Sequence, residues 1–165
     1  YVRKNSDQFG VDPNRIAASG GSAGGHLAAS LGTLKDLKHG DLSKPNALIL
    51  FNPVCVVDPL KNPKRFNFAR LGVKGYEISP YHHVDKTVPP TIIYHGTEDR
   101  LVPYQTAQMF HKKMLTVGND CTLIPFEGRD HGFFNHGKHL PKSDYQETLN
   151  YTNGFLARIG FIYNQ

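Results

Sequence analysis

Residues 16–30 read IAASGGSAGGHLAAS, a serine ringed by four glycines where an apolar run meets an alanine-rich one. Glycine inside a helix or strand is destabilising by roughly 0.5–1 kcal/mol relative to alanine. Four of them at one seam imply that backbone must pass close to backbone there. The seam therefore reads as a sharp turn from a strand, 15–20, into a helix running from Ala23 to about Lys35. The rest of the chain continues that alternation. NALILFNPV, bounded by Pro45 and Pro53, is a continuous apolar run suited to a strand buried on both faces. PPTIIYHG supplies the next strand, with β-preferring Thr91, Ile92, Ile93 and Tyr94. Residues 104–117 carry Ala107, Phe110, Met114 and Leu115 at helical spacing. CTLIPFEG is the fourth strand, and 142–159 a closing helix with Tyr145, Leu149, Phe155, Leu156 and Ile159 as its apolar side. Residues 1–9 look like the end of a helix closed by Gly10. Residues 54–86 form a loop-rich excursion with a short helix near 64–71. The fold class expected is α/β: a mostly parallel sheet of about four strands flanked by helices, one domain over residues 1–165.

Composition narrows the function classes. Hydrophobic residues are 39% and charged residues 20% of a chain long enough for one core. No apolar run approaches the ~20 residues of a membrane span, and no signal-peptide pattern is present. The chain opens at Tyr1 rather than Met, which fits a removed leader or further sequence upstream and leaves secretion open. The net charge of +5 comes from scattered lysines and arginines, without a dense basic block or an aromatic-interleaved motif, so no nucleic-acid partner is expected. Cys55 and Cys121 lie in apolar company, as buried thiols or as a disulfide pair.

Ligands and reacting groups in parallel α/β sheets gather at the carboxyl ends of the strands. Three of these ends are rich in chemistry: SGGSAGG, HGTEDRLVP and EGRDHGFFN. Gly20-Gly21-Ser22-Ala23-Gly24 fits G-x-S-x-G, a tight strand-to-helix turn that presents a serine hydroxyl at a helix N-terminus. A plain glycine-rich turn or a phosphate loop would use a similar composition. A serine attacks only when a base takes its proton, and that base needs an orienting carboxylate. Asp99 follows the third strand and His131 the fourth, in the order serine, acid, histidine. Ser22 is therefore the candidate nucleophile, His131 the general base and acid, and Asp99 the orienter. Glu98 is a rival acid. Asp130 adjoins His131 and is expected to be solvated, and His26 and His95 are expected to pack or hydrogen-bond. His82, His83, His136 and His139 lack the spacing of a metal-ligand set, so no metal is expected. Phe133 and Phe134 read as packing residues or an acyl-pocket wall.

At DPNRIAASGGSAGGHLAA, ISPYHHV, PPTIIYHGTEDRLVPYQTAQMF and GRDHGFFN, residues 11–135, the sequence resembles α/β-hydrolase-fold serine esterases and lipases of the acetylxylan and feruloyl esterase-like branch. The resemblance implies cofactor-free hydrolysis of short-chain acyl esters, including acetyl or feruloyl groups on polysaccharides, with Ser22, Asp99 and His131 as the triad. It implies a backbone oxyanion donor at Ala23. Prolyl oligopeptidase-like serine peptidases share the HGTEDRLVP-like and HGF-like text and remain an alternative; so does a non-catalytic fragment or interaction module.

The family's fold has eight strands, and the segment here resembles its C-terminal half. An HGGG-type loop, the family's source of a second oxyanion donor, does not occur in these 165 residues. On this reading strand 15–20 becomes a sheet edge with unpaired backbone groups, and a homo-oligomer formed through that edge is expected.

Overall fold

The computed structural model describes residues 1–35, 42–57, 72–138 and 144–162. Four parallel strands form one sheet in sequence order: β1 (Ala17–Gly21), β2 (Ala47–Phe51), β3 (Thr91–Gly96) and β4 (Cys121–Phe126). Helices α1 (Ser6–Phe9), α2 (Ala23–Thr33), α3 (Gly75–Ile78), α4 (Tyr104–Thr116) and α5 (Asp144–Arg158) complete the described elements, with single 3₁₀ turns at Arg3–Asn5 and Pro80–His83. Gly10 ends α1 in the left-handed conformation, as its sequence position suggests. No helix among the described residues is long and apolar enough to cross a membrane.

The strand period of two divides the core into two layers. Leu48 and Leu50 of β2 and Ile93 of β3 face one side, against Ala28 and Ala29 of α2 and Ala107, Phe110 and Met114 of α4. Ala47 and Ile49 of β2 and Ile92 and Tyr94 of β3 face the other, with Phe126, Phe133 and Phe155 of α5. Burying each such large side chain stabilises by about 1.5–3 kcal/mol. The continuous apolar runs of β2 and β3 follow, since both strands are covered on both faces. Cys55 and Cys121 are buried free thiols in the first layer, and burial is the main influence raising both thiols above their ordinary range. The short helix expected near 64–71 lies outside the described residues.

Two helical faces differ from the periodicity. Leu115 is 50% exposed, because the buried stripe of α4 centres on Thr106, Ala107, Phe110 and Met114. Tyr145 and Leu149 are each 37% exposed, and α5 instead buries Asp144, Thr148 and Phe155. Polar partners set that rotation. Asp144 receives two hydrogen bonds from Arg129, at 2.6 and 3.1 Å, and Thr152 shares a 2.8 Å bond with the Tyr94 hydroxyl.

The seam between β1 and α2 explains most of its glycines. A Cβ on Gly20 would lie 2.4 Å from the carbonyl carbon and oxygen of Gly24. One on Gly25 would lie 2.9 Å from Pro53 Cβ, and one on Gly21 2.7 Å from the Phe134 ring. Gly24 differs: a Cβ there meets nothing within 4 Å. We expect Gly20→Ala to destabilise the fold by about 1–3 kcal/mol or more, because the obstructing atoms are backbone and cannot step aside. Gly24→Ala should be neutral or stabilising by up to about 1 kcal/mol, since alanine is the better helix former. Urea denaturation of the two variants checks the contrast.

Candidate active site

Ser22 sits between β1 and α2 with φ 56° and ψ −117°. A non-glycine residue there is strained by about 1–3 kcal/mol and persists only where its surroundings hold it. Three backbone hydrogen bonds do so. The Ser22 N–H donates to Phe51 O at 2.9 Å, and Ser22 O accepts from His26 N–H at 3.0 Å and Val54 N–H at 3.4 Å. The hydroxyl makes no cap bond to α2. Ala23 is the first residue of that helix, so its N–H belongs to the first-turn donors that no helical carbonyl can satisfy.

Asp99 lies in the loop after β3 and is buried. Its Oδ1 accepts from the N–H groups of Leu101 at 2.8 Å and Val102 at 2.7 Å. Its Oδ2 lies 2.7 Å from His131 Nδ1 and 3.4 Å from His95 Nε2. Burial pushes its pKa upward. The hydrogen bonds from His95, the Val102 N–H and His131, with the charge of His131, outweigh burial and bring it down to about 2. A carboxylate at this position makes Nδ1 the protonated ring nitrogen of a neutral His131 and leaves Nε2 as the acceptor.

The loops bearing the two residues are locked together. Glu98 N–H donates to Arg129 O at 3.0 Å, and a Cβ on Gly96 would lie 2.2 Å from that same oxygen. The structure thus brings Asp99, not the exposed Glu98, to the imidazole. Asp130 is exposed as expected, yet its Oδ1 accepts from the N–H groups of His131 at 2.7 Å and Arg100 at 3.1 Å, bonds that hold its carboxyl below the ordinary range. His26 Nδ1 bonds to Val54 O at 2.9 Å, and His95 Nε2 to Val102 O at 2.8 Å. Phe133 packs on Phe126 with ring centroids 4.4 Å apart, and the partly buried Phe134 on Phe51 at 4.8 Å. No group of three metal-ligating side chains occurs among the described residues; His139 lies outside them.

Sequence reasoning missed Asn52. It follows β2, is fully buried, and has φ 34°. Its Oδ1 accepts from Gly132 N–H at 3.1 Å, and its Nδ2 lies 3.4 Å from His131 Nε2. The available signal was an asparagine at the carboxyl end of a buried strand, directly before Pro53.

Comparison with known proteins follows the same lines. Residues 65–157 match the prolyl oligopeptidase family, and residues 1–58 match the BD-FAE family. The acetylxylan esterase of Xylanibacter ruminicola is 32% identical over 141 residues, covering 80% of this chain and 28% of that protein. Esterase LipC of Mycobacterium tuberculosis is 29% identical over 154 residues, covering 81% of this chain and 38% of its own. The chain thus spans well under half the length of these curated relatives. Native esterase 2 of Thermogutta terrifontis superposes with a TM-score of 0.89 at 44% identity, covering 99% of this chain and 62% of that one. That esterase has also been solved with propionate bound, with butyrate bound, and phosphonylated by sarin. With a family match over more than half its length and a parallel-sheet architecture shared with α/β-hydrolase esterases, the chain belongs to the prolyl oligopeptidase family of α/β-hydrolases.

Proposed function

We propose that this chain carries the nucleophile, base and acid of a serine carboxylic ester hydrolase, as Ser22, His131 and Asp99. The observation that carries the proposal is the 2.7 Å contact between buried Asp99 and His131 Nδ1, in a fold whose strained Ser22 stands at the same carboxyl-terminal edge of the sheet. Ser22 Oγ attacks the ester carbonyl carbon as His131 Nε2 takes its proton. The carbonyl π electrons move to oxygen, and that oxyanion faces the Ala23 N–H at the start of α2. Collapse of the intermediate breaks the ester C–O bond. The departing alkoxide takes the proton from Nε2, leaving an acyl group on Ser22. Water then attacks the acyl carbon, gives its proton to Nε2, and the acid leaves as Oγ is reprotonated. Asp99 holds the ring tautomer and stabilises the imidazolium throughout. The reaction needs only these side chains and water, without a cofactor or metal.

Short acyl esters are the substrate class we favour, with acetyl or feruloyl groups on polysaccharides as natural candidates. Propionate and butyrate in the structural neighbour, and an acetylxylan esterase among the relatives, support this. A second reading, peptide-bond hydrolysis, draws on the prolyl oligopeptidase match over residues 65–157. A third, a non-catalytic module, predicts an unreactive Ser22. Among the described residues β1 stands at the edge of the sheet, beside a groove of about 320 Å³ lined by Tyr1, Val2, Ile16, Ala17, Leu31 and Leu42, and this supports pairing with a second copy of this chain.

Ser22→Ala should lower turnover of p-nitrophenyl butyrate by about 10⁴-fold or more, and a fluorophosphonate probe should label the unaltered chain but not the variant. Faster turnover of a peptide p-nitroanilide than of the ester selects the peptidase, and an unlabelled folded chain selects the module. Asp99 has a depressed folded pKa, so its stabilising contribution is complete above about pH 4 and lost as pH falls toward 2. Urea midpoints measured across that window should fall more steeply for the unaltered chain than for Asp99→Asn. Light scattering should give a mass above the 18.4 kDa of one chain; a clean monomer removes the pairing proposal.

A further inference from the structure

Asn52 touches the candidate base from the side opposite Asp99, and its two contacts fix the orientation of its own amide. The Gly132 N–H can only donate, so the atom facing it at 3.1 Å is the carbonyl Oδ1. The NH₂ group then faces His131 Nε2, at 3.4 Å. Asp99 at 2.7 Å from Nδ1 fixes the neutral tautomer with its proton on that nitrogen. Nε2 therefore offers a lone pair, and the Asn52 N–H donates to it. Protonating Nε2 would turn that acceptor into a donor and set two N–H groups against each other.

The position is costly to build. Asn52 is wholly buried and adopts φ 34°, a region where asparagine is among the few tolerated side chains. Its own N–H is tied to Tyr94 O at 2.7 Å. A residue serving only to end β2 would need neither a left-handed backbone nor a buried amide aimed at an imidazole.

We propose that Asn52 is a positioning residue for His131: Oδ1 tethers the loop through Gly132, and Nδ2–H holds Nε2 in the neutral, proton-accepting form. The proposal rests on the assignment of His131 as the base and adds a residue acting through it. Charged groups approach from several elements, among them Lys138, whose Nζ lies 3.5 Å from where a Gly132 Cβ would sit. Asp99, after β3, faces Nδ1 and favours the imidazolium. His95 of β3 contacts Asp99, not the ring of His131. Asp130, on the same loop as His131, turns to the backbone N–H groups of His131 and Arg100. Arg129 is paired with Asp144 of α5. Asn52 is thus the polar side chain that β2 contributes against the ring, and its effect opposes that of Asp99.

Asn52→Asp tests this with little change of shape. Aspartate tolerates positive φ and keeps an oxygen for Gly132 N–H, but it replaces the donor facing Nε2 with an anion. The His131 ring is followed by ¹H–¹³C NMR against pH, with its signal assigned by its loss in His131→Gln. In N52D its titration midpoint should move upward by about one pH unit or more, as an anion beside an imidazole favours the charged form. The acid limb of kcat/KM for p-nitrophenyl butyrate should move with it, lowering the rate on that limb about tenfold for each pH unit the midpoint rises. A folded N52D whose midpoint coincides with that of the unaltered chain overturns the proposal. Should N52D not fold, Asn52→Gly suits φ 34° and deletes the donor; it should give a smaller upward movement, and an unchanged or lowered midpoint overturns the proposal. The NMR titration needs no turnover. Absence of ester hydrolysis therefore counts against the proposed function alone, and an unmoved midpoint in an active chain counts against Asn52 alone.

Discussion

The reversal of the chain at Ser22 is the constraint on which the remaining geometry depends. β1 and α2 approach so closely that the position of a Gly20 Cβ falls 2.4 Å from the Gly24 carbonyl. No ordinary side chain fits between them, and the residue at the apex must take φ 56°. The strain at Ser22 is tolerable because the β2 exit segment grips both of its backbone polar groups. Remove that grip and the turn would relax toward an ordinary helix start, withdrawing the hydroxyl from the sheet edge. Parallel pairing of β1 with β2 is therefore part of the site and not merely its scaffold.

Residues 51–54 serve several neighbours at once. Phe51 O and Val54 N–H bind the backbone of Ser22, Pro53 packs on Gly25, and Val54 O holds His26. Asn52 between them reaches across to Gly132 and His131. Two candidate reacting groups, 109 positions apart in sequence, are thus referenced to one four-residue segment. An error in the exit of β2 would move both, whereas Asp99 is fixed separately by the N–H groups of its own loop. The imidazole is held between these two supports, a carboxylate on one nitrogen and an amide on the other.

The elements were legible because two signals coincided. Continuous apolar runs marked β2 and β3, and glycines crowded where a strand must reverse into a helix. The observed strand Ala17–Gly21 differs from the expected 15–20 by a shift of one or two residues. Ile16 lies outside it because its N–H donates to the Asn46 side chain and not to a neighbouring strand. The rotation of α5 was illegible, since periodicity counts apolar residues, while Asp144 is buried against Arg129 and Thr148 turns its hydroxyl back to the Tyr145 carbonyl. Asp99 and His131 could be placed by order at the strand ends, and they meet. Asn52 could not be placed, because its importance lies in a contact with a loop 80 residues away and in a backbone angle that composition does not reveal.

The opposition of Asp99 and Asn52 across one imidazole also says why a single carboxylate is an incomplete description of the proposed base. A buried anion 2.7 Å from Nδ1 on its own would favour the protonated ring, and a protonated ring cannot accept the proton of Ser22. An amide donor at Nε2 works against that tendency in the resting state. At 3.4 Å it is long for a hydrogen bond, and on the proposed mechanism it would give way to a bond from the Ser22 hydroxyl when substrate is attacked. On that mechanism the carboxylate would then stabilise the imidazolium that forms, while the amide would already have favoured the neutral ring that must precede it. The fold thus brings Asp99 from the end of β3 and Asn52 from the end of β2, adjacent strands, to the two nitrogens of one ring, where on the proposed mechanism one would orient it and the other keep it ready.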